Sequence, residues 1–422
     1  MQARFRGLTN LVHYAKYVVC PRVGLRVFST EASPSQDVYE HISNMKTKDL
    51  FQFEPFNNED LLEFPRTKAG RDYSLNWALA NEYFTVWGNA YRNPSIDILE
   101  RDSHGEVDRD GNTTCTRHYL PSSEVAVKSG DFEDISDSVK DFLSQVPNLY
   151  VEDAAVCSGR CAELRIRSVT NDAVTAMALK NLFHRMPLRD PMTPHPLSVI
   201  VARGMPESFT AIGTDPHSKS LTVIATGNTP IDRIVAEVAK AAAKQMDAAR
   251  GTFEVEIPET EPGKGPTKQV KKGPVLQSVV GAAVVQNPAG ETVMICGIPE
   301  EAKNAAMKAG KLFCGSNAVL TKDGVSRVFA GEAVKAGAAP VSGSMIVNGE
   351  AFVPIAGDNL LSFPSKVVFV EENGKPVQSE DVAKMLGAYC CCEDTAKFAA
   401  ELLQKQGAEF VCVDAASVGS LF

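Results

Sequence analysis

Apolar and polar positions alternate along this chain on two periods, and the periods change from segment to segment. Residues 163–169, ELRIRSV, alternate apolar with charged side chains, which predicts a strand with one wet face. Leu149-Tyr150-Val151, Val199-Ile200-Val201 and 220–226 (SLTVIAT) are short apolar runs and predict buried strands. So do 279–285, 292–296, 366–370 and 410–413. Helical spacing appears at 171–183, capped by Thr170 or Asn171, and at 395–406, with Gly407 as its stop. A third helix runs to Met246, with Thr229 as cap, Pro230 at the first position, Asp232 closing a capping box, and Ile231, Ile234, Val235 and Val238 as its apolar stripe. Asp323-Gly324 and Asn348-Gly349 are hairpin turn signals. Residues 31–90 are irregular, broken by Pro55 and Pro65. At 251–273 three prolines and alternating charge predict an exposed linker or a disordered loop between lobes. Strands and helices are mixed rather than strictly alternating, so the expected class is α/β, or mixed α+β with large mixed sheets.

Composition narrows the function. The 422 residues suggest two or three domains, and the formal net charge of −9 argues against a general nucleic-acid binder. The cluster Lys264, Lys268, Lys271 and Lys272 reads as a solvated linker. Every apolar run is far shorter than the ~20 residues a membrane helix needs. Residues 1–30 carry Arg4, Arg6, Lys16, Arg22 and Arg26 and no acid. That is the pattern of a mitochondrial transit peptide, with Arg26-Val27-Phe28-Ser29 resembling a processing site; the plainer reading is an ordinary basic N-terminus. In a matrix protein the ten cysteines are thiols. Cys157 and Cys161 lack a second pair at zinc spacing, and Cys390-Cys391-Cys392 reads as a buried small-residue segment. Glu106, Asp108, Asp110 and Gly111 begin like a calcium loop, but its twelfth position is Arg117, so a tight turn is expected. His184 and His195 have no catalytic partner at a diagnostic spacing and read as surface or capping residues.

Residues 149–187 resemble the N-terminal lobe of ATP-dependent phosphoenolpyruvate carboxykinase. The matching positions are Asp153, Cys157, Gly159, Arg165, Arg167, Lys180, Asn181 and Phe183. Upstream, Asn93-Pro94-Ser95 with Asp97 and Leu99 resembles the family's asparagine-proline-serine segment; downstream, 199–201, Glu207 and Phe209 keep its spacing. Collinear similarity extends over about 90–415. The resemblance implies a two-lobed carboxykinase-like fold, C-terminally truncated. Its lobes would span 91–250 and 274–422, joined by a linker at 251–273.

The family's chemistry needs a phosphate loop, metal ligands and substrate arginines. The loop falls at 297–304, GIPEEAKN, and of its motif only Gly297 and Lys303 survive; Ala302 and Asn304 replace a glycine and a hydroxyl residue. Such loops point bare N–H groups at phosphate, and Glu300 and Glu301 oppose the anion; a carboxylate ~5 Å from a phosphate charge costs roughly 3 kcal/mol at an effective dielectric near 20. The family's metal-binding histidine would fall near Gly281, its paired aspartates near Gly315-Ser316, and its metal-binding lysine near Asp232-Arg233. No histidine follows His217. One substrate arginine meets Tyr119, with Arg117 two residues away and Pro121 matching; another, the last residue of a proline-valine-serine-arginine segment that falls on Pro376-Val377-Gln378-Ser379, meets Ser379. These departures imply no catalytic residues, no bound cofactor and no metal. The expectation is a non-catalytic subunit of a mitochondrial inner-membrane complex on the matrix side. It would contact protein subunits, neither nucleic acid nor a membrane directly, and the first candidate is the ATP synthase peripheral stalk. The alternative is an active or regulatory carboxykinase-like enzyme.

Overall fold

The computed structural model describes residues 73–422 apart from 121–122, 125–128, 158–163, 188–190, 250–252, 260–266, 274–276, 288, 322, 339–342, 356, 372–380, 391 and 422. The expected transit peptide, most of the irregular extension, Gly159, Cys161, Pro121, Gln378, Ser379 and Cys391 lie outside the described residues. The chain divides into two compact units, Met1–Glu63 and Phe64–Phe422. Only the second is described here. It is mixed α+β, with several sheets and helices packed on them.

The largest sheet has seven strands, in the order Asn89–Arg92, Asn148–Val156, Leu164–Thr170, Leu197–Ala202, Leu221–Thr226, Phe209–Thr214 and Ser123–Glu124. Its two-residue period sorts side chains onto two buried faces. Leu197, Val199, Val201, Leu221 and Val223 face the helices Ala173–Leu182 and Ile231–Ala249, while Ile200, Ala202 and Ile224 face Leu75 and Leu79 of the helix Tyr73–Asn81 and Phe132, Val139 and Leu143 of Ser129–Ser144. Cover on both faces explains why these strands read as continuous apolar runs. The same logic builds a five-stranded sheet, ordered Leu312–Cys314, Ala282–Gln286, Thr292–Cys296, Lys366–Val370, Glu409–Val413. Met294, Cys296, Val367 and Phe369 face the helices Val382–Gly387 and Glu393–Lys405. Val293, Ile295 and Val368 face Ala302, Ala306 and Met307 of Glu300–Lys308.

Several local readings change. The run 279–285 is two strands: Gln277–Val280 enters a four-stranded sheet and Ala282–Gln286 the five-stranded one. Gly281 stands at the break, where its N–H donates to the Tyr389 carbonyl at 2.6 Å and a Cβ would lie 3.2 Å from the same oxygen. The helix Ala173–Leu182 is capped by Asp172, whose carboxylate accepts from the Thr175 N–H, not by Thr170 or Asn171. Thr229 does not cap: its hydroxyl donates back to the Thr226 carbonyl. The segment expected as a linker pairs as an antiparallel hairpin, Phe253–Glu259 with Thr267–Gly273, whose register sets Glu254 opposite Lys272. Its F-E-V-E-I alternation is a strand signal that three prolines and the high charge obscured. Cys390 is only partly buried and Cys392 is exposed, so that segment is not a buried one. Both hairpin signals hold; Asn348 (φ 52°) and Gly349 (φ 85°) form a two-residue turn with both residues left-handed. Asp108 closes the expected tight turn by accepting from the Asp110 and Asn112 N–H groups.

A second five-stranded sheet joins Glu106–Val107 and Thr113–Cys115 to Met345–Val347, Glu350–Pro354 and Gly331–Lys335, with Met345–Val347 parallel to Thr113–Cys115. Asn181 extends this tie by donating to the carbonyls of Phe352 and Gly343. Strands from both expected lobes therefore share one sheet.

Asp153, Arg167 and Asn93 form the polar centre. Arg167, with its side chain 1% exposed, donates to both oxygens of Asp153 (2.7 and 3.0 Å), to Glu82 (2.7 Å) and to the Pro191 carbonyl (2.8 Å). Arg92 donates to Asp153 at 2.9 Å, and the Asn93 amide bridges the Asp153 backbone N–H and carbonyl. Burial alone would raise the Asp153 carboxyl; the hydrogen bonds and charge of Arg167 outweigh it and hold the group below the usual range. His195 is partly buried beside this centre, its side chain 7% exposed and Nε2 3.6 Å from Asp153, so it packs against the polar centre rather than serving as the surface or capping residue expected. Burial and the nearby arginines lower its pKa to about 4. His184 is likewise lowered to about 4, chiefly by burial. Removing one member of such a network strands the others without compensation. Arg167→Met is expected to destabilise the fold by about 3–5 kcal/mol, measured by urea denaturation, whereas Arg101→Met, at an exposed position, should leave the denaturation midpoint essentially unchanged.

Candidate functional site

The strand Thr292–Cys296 delivers the chain to Gly297 (φ 81°), and the helix Glu300–Lys308 begins after only Ile298 and Pro299. Residues 300–303, which a phosphate loop would use as an open cradle, are already helical. Pro299 takes the cap position and offers no N–H, and Glu300 and Glu301 occupy the positive end of the helix. Gly297 and Lys303 are thus parted by a turn and a helix start. A Cβ at Gly297 would sit 3.1 Å from the Tyr389 hydroxyl, so this glycine answers to packing as well as to its dihedral.

Lys303 is held by its own chain. Its ammonium donates to the Ala333 carbonyl at 2.8 Å and lies 3.2 Å from Glu300 and 3.9 Å from Glu332, with the side chain only 13% exposed. Ala302 is buried against the sheet, where the loop motif has a glycine. Asn304, in place of the hydroxyl, accepts from the Lys335 N–H. Glu332 also accepts from the Gly315 N–H at 2.8 Å, and a Cβ on Gly315 would fall 2.4 Å from its carboxyl carbon. An aspartate at Gly315 would therefore collide with Glu332. Burial pushes the Glu332 carboxyl up, against the pull of Lys303. Glu350 is pushed up to about 7, first by burial and then by Asp232, while Lys303 opposes and Glu300 and Glu332 add to the rise. Asp232 stands where the metal-binding lysine was expected, and its neighbour Arg233 pairs with Glu237 at 3.0 Å. Glu300, Glu332, Glu350 and Asp232 thus surround Lys303 and the start of this helix, with Glu301 beside them, a field that repels phosphate. Sequence spacing identified Gly297 and Lys303, but Glu332 and Glu350 lie on later strands and carried no motif signal.

The segment TRHYLPSS leads elsewhere. Arg117, His118 and Tyr119 line a cleft of about 220 Å³ with Asp172, Arg203 and Asn228. Arg117 pairs with Asp172 at 2.7 Å. Arg203 lies over the Tyr119 ring, 5.8 Å from its centroid, and donates to the carbonyls of Thr229 and Gly227 and to the Thr175 hydroxyl. Burial lowers the Arg203 pKa and pushes Tyr119 up to about 12. Two guanidiniums against one carboxylate suit a small carboxylate, in a space below the ~300 Å³ of an ordinary ligand pocket. Both tryptophans lie at a third place. Trp77 (57% exposed), Trp87 (60%) and Tyr83 (59%) fall within eleven residues of one another, and the Asn81 amide donates to exposed Met192.

Glu350 makes the acidic field measurable. Its folded pKa of about 7 exceeds the ordinary 4.5, so the stability it contributes is full below pH 4.5 and is lost as pH rises to about 7. A shift of that size corresponds to about 3 kcal/mol in a fully buried group, reduced to about 1–2 kcal/mol by partial exposure. Glu350→Gln should stabilise the protein at pH 8 by that amount and leave it unchanged near pH 4.5, read as paired melting curves; equal melting at both pH values would contradict the charge placement.

Comparison with protein-family models and with curated proteins returns no match for this chain.

Proposed function

We propose that this protein is a non-catalytic subunit built on a two-lobed carboxykinase-like scaffold and assembled into a mitochondrial inner-membrane complex from the matrix side. The observation that carries the reading is the fate of Lys303. Its ammonium is taken by the Ala333 carbonyl and by Glu332, in a field of carboxylates where a nucleotide would need cations. Catalysis of phosphoryl transfer needs that lysine, a hydroxyl ligand for magnesium and open backbone N–H groups; here the lysine is engaged otherwise, Asn304 stands in place of the hydroxyl, and residues 300–303 are helical. The exposed aromatics Trp77, Tyr83 and Trp87 support a docking role, since tryptophan and tyrosine are enriched in interface cores and large exposed ones are unusual on free surfaces. Among the described residues no helix is long and apolar enough to cross a membrane, so attachment to the membrane would run through protein partners. The ATP synthase peripheral stalk is the first host to test, by analogy with mitochondrial complexes that take up lineage-specific subunits from old enzymes.

The Arg117–Arg203 cleft favours a second reading, an enzyme or sensor that still holds a carboxylate. Turnover of oxaloacetate with ATP and manganese would select it. For the first reading, native electrophoresis of mitochondrial membranes with mass spectrometry should find the chain in a band many times its 45.5 kDa. The pair Trp77→Ala and Trp87→Ala should move it to lower mass. Migration of the wild-type chain as a free monomer would rule the subunit reading out.

A further inference from the structure

The helix Ser129–Ser144 carries Asp131, Glu133, Asp134, Asp137 and Asp141 against a single lysine, Lys140. Glu133 and Asp137 are one turn apart and project from the same face. His217, in the turn between Phe209–Thr214 and Leu221–Thr226, meets them: ligand atoms of Glu133, Asp137 and His217 all lie within 4.8 Å of one another. His217 Nε2 is 3.6 Å from Asp137 Oδ1. That is beyond a hydrogen bond, and Nε2 is shut off from solvent with no hydrogen-bond partner. A tetrahedral zinc with bonds of about 2.0–2.2 Å sets its ligand atoms roughly 3.3–3.5 Å apart. The observed spacing is therefore that of a site needing only small side-chain shifts to close on an ion.

The frame behind these ligands is rigid. One turn along the helix from Asp137, Lys140 makes a buried ion pair with Asp215, side chains 1% and 3% exposed. The other oxygen of Asp215 accepts from the His217 N–H at 2.8 Å and the Ser218 N–H. The turn carrying His217 is thus pinned to the helix carrying the two carboxylates. Tyr83 stacks on the imidazole, with centroids 3.7 Å apart, and fixes the ring plane.

We infer that Glu133, Asp137 and His217 form a binding site for a divalent transition ion, with zinc as the best match. One nitrogen and two carboxylate donors suit zinc better than magnesium or calcium, which prefer all-oxygen shells. Three protein ligands leave the fourth position to water or to a donor from outside. The five carboxylates of the helix raise the local cation concentration. Because Tyr83 is exposed and stacks on His217, an ion on His217 would stiffen the surface that this ring presents; the site itself stands apart from the subunit reading.

The test is calorimetry with zinc chloride alone on the full chain after chelator treatment, beside Asp137→Asn, Glu133→Gln and His217→Gln. Asp137 is half exposed, so its amide variant should keep the fold, checked by circular dichroism. Wild-type protein should bind zinc saturably, and each variant should weaken that binding at least tenfold. Cobalt in place of zinc should give a visible spectrum without thiolate charge-transfer bands, which separates this site from zinc held by cysteines. No saturable binding up to about 1 mM zinc, undiminished affinity in Asp137→Asn, or a thiolate-type cobalt spectrum lost on none of the three changes would overturn the assignment.

Discussion

A buried carboxylate that must stay charged organises the described fold. Asp153 sits in the second strand of the seven-stranded sheet, and water cannot solvate it there. Arg167 from the next strand, Arg92 from the edge strand and the Asn93 amide replace that water. Satisfying one charge in this way ties the edge strand, two central strands, Glu82 and the Pro191 loop to a common point. Desolvating so many charges is tolerable only because each is paired, and this makes the geometry exacting. Lys180–Glu152 and Lys140–Asp215 repeat the device along the same sheet.

The elements that were legible in the sequence are those whose signal is local. Val199, Ile200 and Val201 form a run that only a strand covered on both faces can bury, and the structure covers both. Asn348-Gly349 encodes its turn in two residues. Signals shared between distant segments were not legible. The run at 279–285 shows no break, because Gly281 is required by the close approach of Tyr389, over a hundred residues later. His195 resembles any surface histidine until the fold brings Arg167 and Asp153 beside it. The hairpin at 253–273 was masked by prolines and charge, although its alternation was present.

The same division applies to function. Gly297 and Lys303 stand out by spacing, and Glu300 and Glu301 announce a hostile potential from the sequence alone. That Lys303 is consumed by the Ala333 carbonyl, and that Glu332 occupies the room an aspartate at Gly315 would need, are tertiary facts. Asn181, Asp153 and Arg167, the residues that carry the family resemblance, likewise bind other parts of this chain. Polar groups of this kind serve a ligand or the fold, and here their hydrogen bonds close within the fold.

Equilibrium dialysis with labelled ATP and magnesium, on wild-type protein and on Lys303→Met, addresses this most directly. If Lys303 belongs to the fold, the wild type retains no nucleotide at millimolar concentration and the variant differs only by unfolding more readily. Saturable ATP binding by the wild type that disappears in a well-folded Lys303→Met would show that the lysine still serves a phosphate.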